Sequence, residues 1–133
     1  MSPWFEPWTH SQQGWSAASA AHDESMLALS NGYLGVRGTL DEGEPSAVPG
    51  TYLNGFFETR PIPNADRGFG DPVSDQVLVS APDGTRLRLT VEGERLDIRV
   101  GTVLEHERVL DLRSGLLTRA LRWRSPAGHE VRL

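Results

Sequence analysis

The chain contains neither cysteine nor lysine. Without cysteine it can form no disulfide framework and no thiolate metal site. Its thirteen basic residues are all arginines, and the net charge is -5 at pH 7. A general nucleic-acid binder needs a positive surface to displace counterions, so this charge argues against a nucleic-acid partner.

Long apolar runs are also missing. No stretch approaches the ~20 apolar residues of a membrane span. The N-terminus lacks a basic region followed by an apolar run, which is the pattern of a secretory signal. We therefore expect a cytoplasmic protein with no membrane partner.

The chain has many turn-forming residues, with fourteen glycines and nine prolines among 133 residues. This composition favours short strands joined by frequent turns, and the length suits one domain with a core. In the second half, apolar residues alternate with polar ones at Leu87, Leu89 and Val91, and again at Leu121 and Trp123. Period-two alternation predicts antiparallel sheet with one buried face.

Local signals predict the individual elements. In the first half we expect an extended arm over residues 1–14, a first strand at Trp15–Ala21, a helix at His22–Ser30, strands at Gly32–Gly38 and Gly50–Glu58, and a long loop at Arg60–Ser74. In the second half we expect strands at Gln76–Ser80, Thr85–Val91, Glu105–Asp111 and from Leu117 onward, a further alternation at Leu96, Ile98 and Val100, and hairpin turns at Ala81–Gly84 and Ser125–Gly128.

Two carboxylates can form a catalytic pair, since an inverting glycosidase places an acid and a base about 6.5–9.5 Å apart. Candidates by residue type are Glu24, Asp41, Glu42, Glu58, Glu105 and Glu107. We interpret them instead as structural: Asp41 and Glu42 in a solvated turn, Asp23 or Glu24 at the start of the helix, and Glu105 and Glu107 along a strand face. No catalytic residue is therefore predicted.

Other constellations also favour structural roles. Gly32, Gly35 and Gly38 lie after a helix and within a strand, which is the wrong order for a phosphate-binding loop and suits turns and close packing. The four histidines show no ligand spacing, so no metal site is predicted. They are His10, His22, His106 and His129.

Aromatic residues are the only candidates for a ligand site. Trp4, Phe5, Trp8 and Trp15 cluster near the start, and Tyr52, Phe56 and Phe57 lie on one predicted strand. Tyr52, Phe56 and Phe57 are the sugar-stacking candidates. The alternative, which we weight more heavily, is that these rings fill a core or pack against another domain.

Ordered motifs from Asp23 onward give the chain a family resemblance. The motifs are Asp23-Glu24-Ser25, Asn31–Gly38, Asp41–Gly43, Gly50–Gly55, Val91–Glu94, Arg108–Leu117 and Arg122–Gly128. With these motifs the chain resembles the N-terminal β-sandwich of glycoside hydrolase family 65. That family includes maltose, trehalose and kojibiose phosphorylases and some trehalases.

The resemblance implies an antiparallel supersandwich of the galactose-mutarotase-like class. In the family this is followed by an (α/α)6 barrel carrying the catalytic Glu. It implies a parent reaction of inverting phosphorolysis, in which an α-glucosyl disaccharide and inorganic phosphate, a co-substrate, give β-glucose 1-phosphate and a sugar. No cofactor is expected. The disaccharide, and phosphorolysis as against hydrolysis, are left open.

We interpret residues 15–133 as the first part of that sandwich, because a strand has barely begun at Val131 and Leu133. The catalytic barrel is expected to be absent, and the chain alone to be inactive. Expected partners are the parent's barrel, with a homodimer and an oligosaccharide as further candidates. The alternatives are a free-standing sugar-binding module and the N-terminal domain of a trehalase-type hydrolase.

Overall fold

The described part of the chain forms ten strands and one short helix. The computed structural model describes residues 8–42, 48, 50–63 and 68–133. In chain order the elements are β1 (Thr9–Gln13), α1 (Ala20–Met26), β2 (Leu29–Ser30), β3 (Leu34–Val36), β4 (Thr51–Pro61), β5 (Ser74–Ser80), β6 (Thr90–Val91), β7 (Glu94–Arg95), β8 (Thr102–Asp111), β9 (Leu116–Arg124) and β10 (Glu130–Arg132).

The strands form two four-stranded sheets and a small hairpin. The first sheet has the order β1-β8-β9-β10, the second sheet has the order β2-β3-β4-β5, and β6 pairs with β7. Every pairing is antiparallel. The predicted all-β, antiparallel fold class with one short helix is thus confirmed.

The apolar core lies on one face of the first sheet. Trp123, fully buried in β9, pairs with Val103 of β8 and Val131 of β10, so these side chains share that face. Residues from the β6–β7 hairpin region and from the turn before Asp41 cover it. The cluster of buried residues is Leu40, Leu96, Ile98, Leu121, Trp123 and Val131, with Trp15, Leu89, Val91 and Val103 packed against it.

The helix does not begin where the sequence predicts it. Residues 15–19 form turns rather than the expected strand, and α1 spans Ala20–Met26 instead of His22–Ser30. Small residues and serines there have little strand preference, and the Ser19 hydroxyl donates to the Asp23 carboxylate at 2.9 Å. The helix ends early because β2 pairs with β3.

The predicted hairpin at Ala81–Gly84 is wrong. Asp83 accepts hydrogen bonds from the backbone and hydroxyl of Thr85, which turns the chain locally. The chain then leaves β5, since the Leu87 amide donates to the Asp41 carbonyl at 2.6 Å. Thr85–Val91 therefore supplies only the short β6, and residues 96–101 form turns in place of a strand.

The other predicted strands are present. β8 begins three residues before its predicted start, β9 begins one residue before its own, and the Ser125–Gly128 turn joins β9 to β10. β4 extends three residues beyond its predicted end, and of the predicted Gly32–Gly38 strand only Leu34–Val36 forms β3. The predicted arm is different in its second half, where β1 pairs with β8 in the first sheet. Trp4 and Phe5 lie outside the described residues.

Candidate functional site

The three sugar-stacking candidates do not form one platform. Tyr52 pairs with Ser80, and Phe57 pairs with Leu78, so these four side chains share one face of the second sheet. Phe56 lies in the part of β4 where the register shifts between these two pairings, and it does not line the groove beside Tyr52. The structure thus pairs Tyr52 and Phe57 with one face of β5 and places Phe56 in the irregular segment between them.

Tyr52 lines an open groove of about 300 Å³ on this second sheet. None of the residues that line it is charged, although charged residues make up 23% of the chain. Tyr33, a residue that the sequence analysis missed, is 66% exposed at its rim. The lining residues are Ser30, Gly32, Tyr33, Leu34, Gly35, Tyr52, Leu53, Asn54 and Leu78.

A short polar turn positions Tyr33. The Asn31 side-chain oxygen accepts hydrogen bonds from the Tyr33 and Leu34 amides at 3.0 and 2.8 Å. Gly32 within this turn has φ +85, a conformation that glycine adopts without strain. The Tyr33 carbonyl then accepts from the Asn54 amide at 2.8 Å, which joins the turn to β4. The signal that could have identified Tyr33 is this Asn-Gly turn placing an aromatic beside a strand.

A second feature is a buried charge cluster on the inner face of the first sheet, beside the apolar core. Arg119 donates to both carboxylate oxygens of Glu42, with its second contact at 2.9 Å, and also contacts Asp41 at 3.4 Å. The side chains of Arg119 and Glu42 are 8% and 4% exposed. The prediction of a solvated turn is wrong for Glu42, whose carboxylate is paired inside the protein.

The carboxylates of α1 also point inward. The Gln12 amide and the Ser19 hydroxyl donate to Asp23 at 3.0 and 2.9 Å. Glu24 accepts from the Val48 amide at 2.9 Å and lies 3.8 Å from Arg37. Both acidic residues are buried, so they do more than favour the helix N-terminus.

Arg108 connects two segments of this cluster through its side-chain hydrogen bonds. Its Nε donates to Gln12 at 2.7 Å and its Nη1 donates to the Gly38 carbonyl at 2.6 Å. Burial lowers the pKa of Arg108, and the Asp23 carboxylate opposes that effect. One side chain from β8 therefore holds both β1 and the segment that follows β3.

His106 is held as a neutral imidazole. Because an arginine nitrogen can only donate, the Arg119 Nε contact at 3.2 Å makes His106 Nε2 the acceptor, and Nδ1 then donates to the Gly14 carbonyl at 2.8 Å. Burial lowers the pKa of His106 and outweighs the Gly14 hydrogen bond, which raises it. The positive charges of Arg119 and Arg108 also lower this pKa, and Glu42 raises it.

Glu105 and Glu107, the exposed candidates on β8, do not form an acid and base pair. Glu105 and Glu107 both line an open cavity of about 460 Å³ where β1 ends beside β8. Glu105 is paired with Arg122 at 3.2 Å, and Glu107 accepts from Gln13. A solvated carboxylate beside an arginine lacks the apolar surroundings in which a general acid is found.

Metal binding has no support among the described residues, where no group of three or more His, Asp or Glu could hold an ion. Likewise, no helix in that part of the chain is long and apolar enough to cross a membrane.

A family model gives the context for both features. The model for the N-terminal domain of glycosyl hydrolase family 65 matches residues 10–133. The chain belongs to this family.

Relatives of this family 65 chain are much longer than the chain itself. It is 51% identical over 128 residues to an uncharacterised glycosyl hydrolase of Mycobacterium leprae, a match that covers 96% of this chain and 16% of the relative. It is 34% identical over 128 residues to the α,α-trehalose phosphorylase of Thermoanaerobacter brockii, covering 93% of this chain and 16% of that enzyme. The family 65 chain thus spans about one sixth of the length of these relatives.

A solved structure extends the likeness to the backbone. A kojibiose phosphorylase-like protein from the human microbiome superposes with a TM-score of 0.77 at 29% identity. The match covers 89% of this chain and 16% of that protein. The resemblance found in the ordered sequence motifs is therefore confirmed.

The glycine motif of this family 65 domain has a structural explanation. A Cβ on Gly38 would lie 2.5 Å from the Leu27 Cβ and 2.7 Å from the Leu27 carbonyl oxygen. The Gly38 amide donates to the Glu24 backbone carbonyl at 2.9 Å, and the Gly38 carbonyl accepts from the Arg108 side chain. Gly38 is thus required where α1, the β3 exit and β8 meet, which agrees with the predicted role in close packing.

Proposed function

We propose that this chain is the non-catalytic N-terminal domain of a disaccharide phosphorylase-like enzyme. The observation that carries the proposal is a match over nearly the whole chain to relatives of which it forms only about one sixth. The site geometry agrees, because Glu42 is paired with Arg119 and Glu105 with Arg122. Neither of these two carboxylates is therefore a candidate general acid.

The parent reaction in this proposal is inverting phosphorolysis of an α-glucosyl disaccharide such as maltose, trehalose or kojibiose. Inorganic phosphate is the co-substrate and no cofactor takes part. Trehalose and kojibiose phosphorylases among the relatives support this choice. The proposal includes a catalytic (α/α)6 barrel as partner, a homodimer and a cytoplasmic location.

A direct assay tests the non-catalytic role. The purified chain is incubated with trehalose, kojibiose or maltose and phosphate, with a trehalose phosphorylase as positive control. We expect no glucose 1-phosphate from the chain and none of the free glucose that a trehalase-type hydrolase would release without phosphate. Release of either product in proportion to chain concentration would overturn the proposal.

A sugar-binding module is the second candidate function. It is favoured by the uncharged groove, where Tyr52 and Tyr33 lie close to an Asn54 side chain whose amide could meet sugar hydroxyls. Calorimetric titration with the same three disaccharides tests it. Binding that is lost in Tyr52→Ala and kept in Phe56→Ala would establish this function, because Tyr52 lines the groove and Phe56 does not.

A further inference from the structure

Two Asn-Gly dipeptides lie beside the groove of the second sheet. Asn31-Gly32 precedes β3, and Asn54-Gly55 lies within β4. Gly32 and Asn54 both line the groove, and all four residues are exposed to solvent. An Asn-Gly sequence is chemically labile, because glycine has no side chain to keep its own amide nitrogen away from the side-chain carbonyl carbon of the asparagine. The surroundings of each dipeptide therefore decide whether it reacts.

The Asn31 side chain is held by its own turn. Its oxygen accepts the hydrogen bonds from the Tyr33 and Leu34 amides, and the Asn31 backbone amide donates to the Leu34 carbonyl at 3.1 Å. An attack by the Gly32 nitrogen requires the Asn31 side chain to rotate, which breaks both of the hydrogen bonds that its oxygen accepts. The turn thus protects the first dipeptide.

The Asn54 side chain has no such anchor. It makes no hydrogen bond to another described residue, although the Asn54 backbone amide donates to the Tyr33 carbonyl at 2.8 Å. Gly55 lies where the register with β5 shifts between Tyr52 and Phe57, so it has no partner residue in either β3 or β5. Its φ is +80, and there is open space where a Cβ would stand. An irregular segment outside the ladder can rearrange locally without opening the sheet.

We propose that Asn54 is a site of spontaneous deamidation in the folded domain, and that Asn31 is protected from the same reaction. The Gly55 backbone nitrogen attacks the side-chain carbonyl carbon of Asn54 and forms a cyclic imide. The bond to the side-chain nitrogen breaks, and this nitrogen takes up the Gly55 amide proton through water and leaves as ammonia. Water then opens the imide at one of its carbonyls, which gives aspartate or isoaspartate. The reaction needs only water, so it does not depend on the proposed function.

The product changes the chemistry of the groove. None of the residues that line it is charged, so the new carboxylate is the only charge among them. The same step removes the Asn54 amide, which the second candidate function offers to sugar hydroxyls. In the isoaspartate form the main chain also gains one methylene group. The irregular stretch of β4 can accommodate that group, because no ladder pairing with β5 depends on it.

Peptide mapping of the aged chain tests the proposal. The folded chain is stored at mildly alkaline pH, because the attacking nitrogen has to lose its proton. Arg37 is the first arginine and the chain has no lysine, so trypsin puts the two dipeptides on different peptides, and mass spectrometry measures each conversion. We expect Asn54 to convert about tenfold faster than Asn31, which must first release two hydrogen bonds. In urea that unfolds the chain, the two rates should become comparable.

Matched variants identify the source of the new charge. Ion exchange should show a more acidic form accumulating in the wild type and in Asn31→Asp, which keeps a side-chain acceptor for the turn. In Asn54→Gln this form should accumulate several-fold more slowly, because the longer side chain closes a ring less readily. Equal accumulation in Asn54→Gln and the wild type, or conversion of Asn31 as fast as that of Asn54 in the folded chain, would overturn the proposal. A preference for Asn54 that persists in urea would also overturn it, since that preference would not come from the fold.

Discussion

Removing the Arg119 side chain should destabilise the domain strongly, because it leaves Glu42 charged and buried. Arg119→Met keeps the length of the aliphatic stem and deletes the bidentate pair, in which the two side chains are 8% and 4% exposed. Breaking a buried ion pair from one side costs about 3–5 kcal/mol. Domain stabilities are about 5–15 kcal/mol, so the variant should lose a large share of its free energy of unfolding.

Neutralising the partner should restore much of that loss. In Arg119→Met combined with Glu42→Gln, no unpaired charge is left in the interior, and the amide can still accept hydrogen bonds. We expect the double variant to be more stable than Arg119→Met alone, with a coupling energy of about 1–3 kcal/mol. Arg122→Met, which removes two solvated ion pairs from the same strand, is the control and should cost far less than Arg119→Met.

Urea unfolding followed by circular dichroism and by tryptophan fluorescence measures these differences, and agreement of the two probes checks two-state behaviour. Additive costs in the double variant would refute the argument that Glu42 and Arg119 form one buried unit. A cost for Arg119→Met no larger than that for Arg122→Met would refute it as well.

Two further predictions concern the same region. Gly38→Ala should lower the free energy of unfolding by about 1–3 kcal/mol, because the new methyl group meets the Leu27 backbone. Gly35→Ala is the control and should cost little, since the nearest atom to its new methyl group lies at 3.6 Å. Equal costs of the two variants in urea unfolding would contradict this prediction. Burial lowers the pKa of His106 in the folded state. The neutral imidazole therefore stabilises the folded state fully at pH values above 6.5, its ordinary pKa. This stabilisation is lost as the pH falls below that value. Between pH 7 and 5 the wild type should lose more stability than His106→Gln, and parallel pH profiles would contradict the assignment.

Sequence patterning predicted β8, β9 and β10 of the first sheet well because these three strands form local hairpins with one apolar face. Leu121 and Trp123 alternate with arginines that face water, and the Ser125–Gly128 turn fixes the return strand. The same rule failed for Thr85–Val91. Its alternation is real in the sequence, but Leu87 is exposed and the segment crosses to Asp41 instead of pairing with β5. Alternation describes two faces, and it does not identify the partner strand.

The charge cluster was beyond sequence patterning for a different reason. Glu42, His106 and Arg119 are separated by long stretches of chain, and each by itself resembles a solvated residue. Only the pairing of β8 with β9 brings His106 and Arg119 to the inner face. The polar half of that face can be buried because each charge meets a partner from another segment.

This arrangement also explains why the domain needs arginine at these positions. Arg108 reaches Gln12 and the Gly38 carbonyl from different nitrogens, while Arg119 contacts Glu42 with two nitrogens and His106 with a third. A lysine offers one ammonium group and could not make contacts in several fixed directions at once. The cluster therefore fixes the positions of α1 and of the segment after β3 relative to the first sheet, where an apolar contact would allow sliding. Because β2 follows α1 and β3 leads into the second of these segments, the cluster sets where the second sheet stands.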